Sequence, residues 1–305
     1  MTTICAAKTI LPVGKADMEL GKDILLLKES NDIQNDPAAL RERMKEDGYL
    51  FIRGLHAKED VLTARRQMLE KLAENNALKP GEPLMDGVIN TEAKSGFFGG
   101  TNQLTTRPGF QHLVKSPRIM GFFDRFLGGP ALTFDFKWLR VVGKGDFTGA
   151  HYDMVYMGRG TPNLYTCWTP IGDVPFELGP LALCVGSHKS EFAKLQQTYG
   201  KMDVDRDHVH GWFSDDPTEV INAYGGKWHT AEFQAGDALV FGMYTMHMSL
   251  KHTGTRYRIS ADTRYQLASE SADERWVGET PKAHYAWHNP EKNKTMEQAR
   301  KEWGV

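Results

Sequence analysis

The chain has 305 residues, 40% of them hydrophobic and 25% charged, with a formal net charge of −2. That composition, with 7 Trp, 10 Tyr and 15 Phe, excludes a mainly disordered chain, and the near-neutral balance argues against a dedicated nucleic-acid binder. No run approaches the ~18 apolar residues of a membrane span, Lys8 interrupts the N-terminus before a signal-peptide core develops, and the three unclustered cysteines fit a reducing compartment. The expectation is a soluble cytoplasmic protein with neither nucleic-acid nor membrane partners.

In chain order, residues 1–36 are polar with weak periodicity and read as a loose N-terminal arm. Asp36 caps a short helix over 37–47, which Gly48 closes, and Tyr49-Leu50-Phe51-Ile52 follows as a strand. A second helix spans about 58–76, with Val61, Met68, Leu69 and Leu72 on one stripe, and a third spans 117–127 with Pro117 early and Gly128 beyond its end. From Pro130 the pattern changes to short apolar or alternating runs at 132–142, 147–153, 163–172, 181–185, 237–243, 246–251 and 256–266. Strands this short and this regularly interrupted indicate a mainly β barrel or sandwich with helical decoration. A long insertion, about 189–230, contains the aromatic stretch from His208 to Phe213 and reads as a lid. Residues 290–305 hold a charged surface helix. No linker divides 37–289, so one domain is expected, with its barrel at about 130–267.

The chemistry-bearing residues fall on the barrel strands. In a strand, His151 and Asp153 share one face, and His247 begins a later strand after the break at Gly242. Two His and one carboxylate on one barrel face form a facial triad, which leaves positions open on Fe(II). His252 competes with His247 but lies in a turn. On 256–266, alternation puts Arg256, Arg258, Ser260, Asp262 and Arg264 on one face. An arginine pointing into a barrel is costly to bury alone, and a dicarboxylate would satisfy it with a bidentate pair; a solvent-facing polar face is equally compatible with this strand.

Together, His151-x-Asp153, His247 and Arg258 eleven residues later resemble the phytanoyl-CoA dioxygenase family of iron- and 2-oxoglutarate-dependent oxygenases. So do Trp168-Thr169-Pro170-Ile171-Gly172-Asp173, Gly179-Pro180-Leu181, Gly186-Ser187-His188-Lys189 and the entry Glu46 to Ile52. The resemblance implies a double-stranded β-helix, a jelly-roll or cupin-like barrel with the N-terminal helices packed outside. It implies Fe(II) on His151, Asp153 and His247, and 2-oxoglutarate held by Arg258, Ser249, Trp168 and Ser260. Arg256 and Arg264 lack the spacing of Arg258 and are expected to matter less. The lysine that some members place upstream is absent from Gly100-Thr101-Asn102-Gln103. The resemblance also implies O2 as oxidant and hydroxylation, desaturation or ring closure of a small organic molecule, since Asp153 leaves no room for the halide of a halogenase. Tyr156 and Trp212 are the candidate substrate contacts.

Overall fold

The computed structural model describes residues 8–92, 102–286 and 290–305. The chain opens with strands β1 (Ile10–Val13) and β2 (Ala16–Glu19), an antiparallel hairpin, and β3 (Ile24–Leu26). Helix α1 (Pro37–Asp47) starts at Asp36, whose carboxylate accepts from the amides of Ala38 and Ala39, and ends at Gly48 with φ of 81°. Strand β4 (Tyr49–Ile52), α2 (Lys58–Glu74), α3 (Asn102–Thr105), α4 (Pro108–Lys115) and α5 (Pro117–Leu127) complete the front third. Strands β5 (Ala131–Thr133), β6 (Trp138–Val142), β7 (Tyr165–Pro170), β8 (Leu181–Val185), β9 (Lys227–Thr230), β10 (Ala238–Gly242), β11 (His247–Ser249) and β12 (Arg258–Leu267) follow. Between them lie α6 (Met154–Met157), α7 (Ala193–Gln197), α8 (Val204–Asp207) and α9 (Pro217–Tyr224), and α10 (Met296–Trp303) closes the chain.

Two sheets face each other. The larger runs β4-β10-β7-β12-β5, with β6 also on β12; the smaller runs β11-β8-β9-β3. Alternation sorts every strand into an inner and an outer face. Tyr49, Phe51, Trp168, Leu239 and Phe241 from one sheet meet Leu181 and Leu183 from the other, filling the space between them. The outer residues of the large sheet are covered by helices. Ile259 and Ala261 lie under α2 and α4, and Tyr265, Val240 and Leu50 lie under α1 and α5. The helices thus pack outside a jelly-roll core, as the sequence predicts.

Two expectations are corrected. Residues 10–26 are not a loose arm. Val13, Met18 and Ile24 are fully or almost fully buried against the outer face of the small sheet, and β3 extends that sheet in parallel with β9. Segments this short hide their periodicity, because three or four residues cannot display one. The 189–230 insertion packs onto the fold as well. Leu195, Tyr199, Val204, Val209, Phe213 and Val220 are buried in that same outer layer, and the segment crosses to the strand region through Ala150 and Ser214. Finally, 147–153 is not a continuous strand. Only Ala150 and His151 make β-bridges, and Asp153 has helical φ and ψ as the N-cap of α6.

Candidate metal and cosubstrate site

His151 and His247 face each other across an antiparallel bridge, with their backbone amides and carbonyls exchanging hydrogen bonds of 3.0 Å in both directions. Each imidazole is anchored through Nδ1, which lies 2.7 Å from the Gly149 carbonyl in His151 and 3.0 Å from the Thr245 carbonyl in His247. A carbonyl accepts only, so both Nδ1 atoms carry the proton and both Nε2 lone pairs point elsewhere. They point at one atom: Asp153 Oδ1 lies 4.0 Å from Nε2 of His151 and 3.9 Å from Nε2 of His247. Among the described residues this is the group of His, Cys, Asp and Glu whose donor atoms gather, all within 4.8 Å of one another. The spacing is wider than the ~3 Å expected of donors bound ~2.1 Å from one ion. The donor set itself fits a divalent iron: two neutral imidazoles with anchored second nitrogens and one carboxylate. Burial pushes the His151 imidazole well below its usual range, aided by the facing His247, and lowers that of His247 as well, so both are neutral near pH 7. Burial alone would raise the Asp153 carboxyl. Arg264, with the Thr166 hydroxyl bond, outweighs that and holds it below the usual carboxylate range.

Asp153 reaches this point although the strand ends before it. The alternation argument therefore places it correctly for the wrong reason: a helical turn, and not a pleat, swings its carboxylate back. His252 is buried elsewhere, with Nε2 on the Arg256 carbonyl at 2.7 Å, and takes no part in the cluster.

The inner face of β12 supplies the second half of the site. Arg258 is 1% exposed, and Nη1 donates to the Gly179 carbonyl at 2.6 Å. Gly179 has φ of 69°, and a Cβ there would stand 2.5 Å from the Leu250 carbonyl oxygen, so this approach requires glycine. Among the described residues no carboxylate lies within ion-pairing distance of Arg258, and burial lowers its guanidinium to about 10. Its Nε, the Ser260 hydroxyl and the Trp168 indole N–H are all buried with no partner among the described residues. Cross-strand register puts Ser260 opposite Pro170 and Asp262 opposite Trp168, so these groups share one inner surface. Ser249 accepts the Thr148 amide at 2.9 Å and keeps its own hydroxyl proton to donate. An unmet buried polar group costs about 1–3 kcal/mol. Three on one face indicate an acceptor-rich ligand.

Sequence reasoning missed two arginines and a threonine. Arg140, inward on β6 opposite Ser260, donates from Nε to Asp262 at 2.6 Å. It sits deep in the fold, yet 38% of its side chain stays reachable to solvent, as for a residue lining an internal cleft. Alternation along 132–142 was the available signal, and the break between β5 and β6 hid it. Arg264, expected to matter less, donates from Nη2 to Asp153 Oδ1 at 3.1 Å. The Thr166 hydroxyl donates to Asp153 Oδ2. Spacing from a histidine could not identify Arg264, because its partner lies 111 residues earlier in the chain.

At the rim, Tyr156 stands edge-on to the His151 ring at 5.5 Å. Gly211 packs so closely on it that a Cβ would come within 1.9 Å of the Tyr156 oxygen. Trp212 covers Gly149, two residues before His151, and stacks with Phe147 at 6.3 Å. The side chain of Asn102 and the loop preceding it lie outside the described residues.

Against known proteins, the family model for phytanoyl-CoA dioxygenase (PhyH) matches residues 44–260. The chain belongs to this family. Within curated proteins, this family member is 26% identical over 261 residues to the 1-deoxypentalenic acid 11-beta-hydroxylase of Streptomyces exfoliatus, covering 77% of this chain and 83% of that one. The enzyme of the same name from Streptomyces arenae is 25% identical with the same coverage. Two solved structures share the fold. The non-heme alpha-ketoglutarate-dependent carbocyclase SnoK from nogalamycin biosynthesis has a TM-score of 0.53 at 19% identity, covering 81% of this chain and 89% of its own. EctD from S. alaskensis in its apoform has a TM-score of 0.53 at 16% identity, covering 95% of each chain. Among the described residues, no helix is long and apolar enough to cross a membrane.

Proposed function

We propose that this family member is a cytoplasmic Fe(II)- and 2-oxoglutarate-dependent dioxygenase that hydroxylates a C–H bond of a small organic molecule. The observation that carries the reading is the pairing of two features on one inner surface. One is a converging His-Asp-His donor set; the other is a buried arginine with unmet donors beside it. A metal hydrolase would need the first and have no use for the second.

His151, Asp153 and His247 would hold the iron, leaving positions for a chelating cosubstrate and oxygen. Arg258 would take the far carboxylate of 2-oxoglutarate, with Ser260, Ser249 and Trp168 supplying further donors. Arg140, opposite Ser260 on β6, would supply a second cation on the same surface. When bound, iron with 2-oxoglutarate and O2 supplies the oxidation, with 2-oxoglutarate leaving as succinate and carbon dioxide. The protein orients the substrate, excludes water and neutralises the cosubstrate's two negative charges. The named activity of the Streptomyces relatives, a hydroxylation, makes that outcome the first to test. Ring closure is the activity of one fold neighbour and comes second.

The expected result is stoichiometric succinate release when anaerobically iron-loaded protein is given 2-oxoglutarate, O2 and a pool of small cyclic carboxylic acids. A product gaining one oxygen supports hydroxylation. Turnover of a pool member without 2-oxoglutarate would instead support a second reading, a cupin-type metal hydrolase or isomerase that uses the triad without Arg258.

Tyr156 and Trp212 stand where a substrate would enter. Trp212→Ala is expected to lower substrate turnover at least ten-fold while the 2-oxoglutarate requirement stays within about two-fold, since the indole packs on Gly149 and Phe147. Steady-state kinetics in both ligands checks this, and equal loss in both would contradict it.

A further inference from the structure

Asp153 is held at both oxygens. Oδ1, the oxygen facing the two imidazoles, accepts from Arg264 at 3.1 Å, and Oδ2 accepts from Thr166. The two donors are a direct cross-strand pair, Arg264 on β12 opposite Thr166 on β7, so one rung of the large sheet delivers both. The arginine is thinly partnered for a buried charge. It is 2% exposed, and among the described residues Nη1 has no partner and Nε reaches only the Met157 sulfur at 3.0 Å, while the guanidinium lies over the Trp138 ring at 4.8 Å. A thioether is a weak acceptor. Burying a guanidinium with one carboxylate oxygen as its sole ion-pair partner among the described residues does not favour stability over an apolar replacement. Its one strong contact is with the candidate metal ligand.

A carboxylate beside a divalent cation can bind through one oxygen or chelate through both. Chelation would take a position that a keto acid and oxygen need. We propose that Arg264 and Thr166 form a two-point clamp that restricts Asp153 to one-oxygen coordination and keeps the remaining metal positions for the cosubstrate. Thr166 occupies the oxygen that would swing in to chelate. Arg264 fixes the plane of the carboxylate and shares Oδ1, which leaves that oxygen a weaker donor. Both are positioning residues acting through Asp153. The proposal rests on the iron and 2-oxoglutarate reading above.

The test is anaerobic titration of the Fe(II) protein with 2-oxoglutarate, following the visible metal-to-ligand charge-transfer band, in wild type, Arg264→Met and Thr166→Val. Bound iron is measured separately on each sample. The clamp predicts near-stoichiometric iron in all three, with half-saturation by 2-oxoglutarate at least ten-fold higher in Arg264→Met and several-fold higher in Thr166→Val, and a displaced band maximum. A merely structural role would move the melting temperature and leave the band in place. If both variants gave the wild-type band with half-saturation within two-fold, or if both lost iron altogether, the clamp would be wrong. Should Arg264→Met fail to fold, Thr166→Val alone decides, since it removes one hydroxyl and no charge. Absence of the band in the iron-loaded wild type would instead overturn the cosubstrate reading itself.

Discussion

Arg258→Gln is expected to raise the 2-oxoglutarate concentration needed for half-saturation by roughly 10²–10³-fold, while bound iron stays near one per chain. Removing one partner of a buried charged pair costs about 3–5 kcal/mol, and every 1.4 kcal/mol is about ten-fold in affinity. Glutamine cannot replace the guanidinium, which offers a charged planar fork that matches a carboxylate. The apo protein should tolerate the change well, because among the described residues Arg258 has no ion-paired carboxylate to lose and only the Gly179 carbonyl as acceptor. Arg256→Gln is the control. Its side chain is 42% exposed and lies 3.9 Å from Glu177, so the 2-oxoglutarate requirement should stay within two-fold. Arg264 is unsuitable as a control, since it touches Asp153. A few-fold effect at Arg258 would sink the cosubstrate assignment and bring the cupin-type hydrolase or isomerase reading forward.

His151→Ala and His247→Ala should each reduce bound iron from near one equivalent to near zero and abolish turnover. Metal binding here depends on neutral imidazoles presented through Nε2, and each ring's other nitrogen is already committed to a backbone carbonyl. The bridge between the two residues is made by backbone, so it survives truncation and the fold should persist, with circular dichroism unchanged. His252→Ala should retain iron, since that ring is spent on the Arg256 carbonyl. Wild-type iron content in either triad variant would refute the assignment, and iron loss in His252→Ala would redirect it.

The parts of this site that were legible in the sequence are those written in short-range pattern. The alternation of β12 put Arg258, Ser260, Asp262 and Arg264 on one inner face, and β7 pairing across from it places Trp168 there too. Helix α1 was legible to the residue because Asp36 and Gly48 are chemical punctuation, a side-chain cap and a left-handed exit. What was illegible depends on contacts between distant segments. Arg264 with Asp153 and Arg140 with Asp262 each join residues more than 100 positions apart, and neither position carries a local signature. The same holds for β3, three residues long, which is a strand because β9 is beside it. The 189–230 insertion looked polar on average. Its buried aromatics are spaced by turns and short helices, so no period of 2 or 3.6 runs through them.

The central claim is that one inner surface holds both a metal and a dicarboxylate. Anaerobic addition of Fe(II) and then 2-oxoglutarate to the wild-type protein tests it most directly. A weak visible charge-transfer band that saturates at one equivalent of each, and that succinate cannot produce, is the expected result. Bound iron with no band at millimolar 2-oxoglutarate would contradict the account.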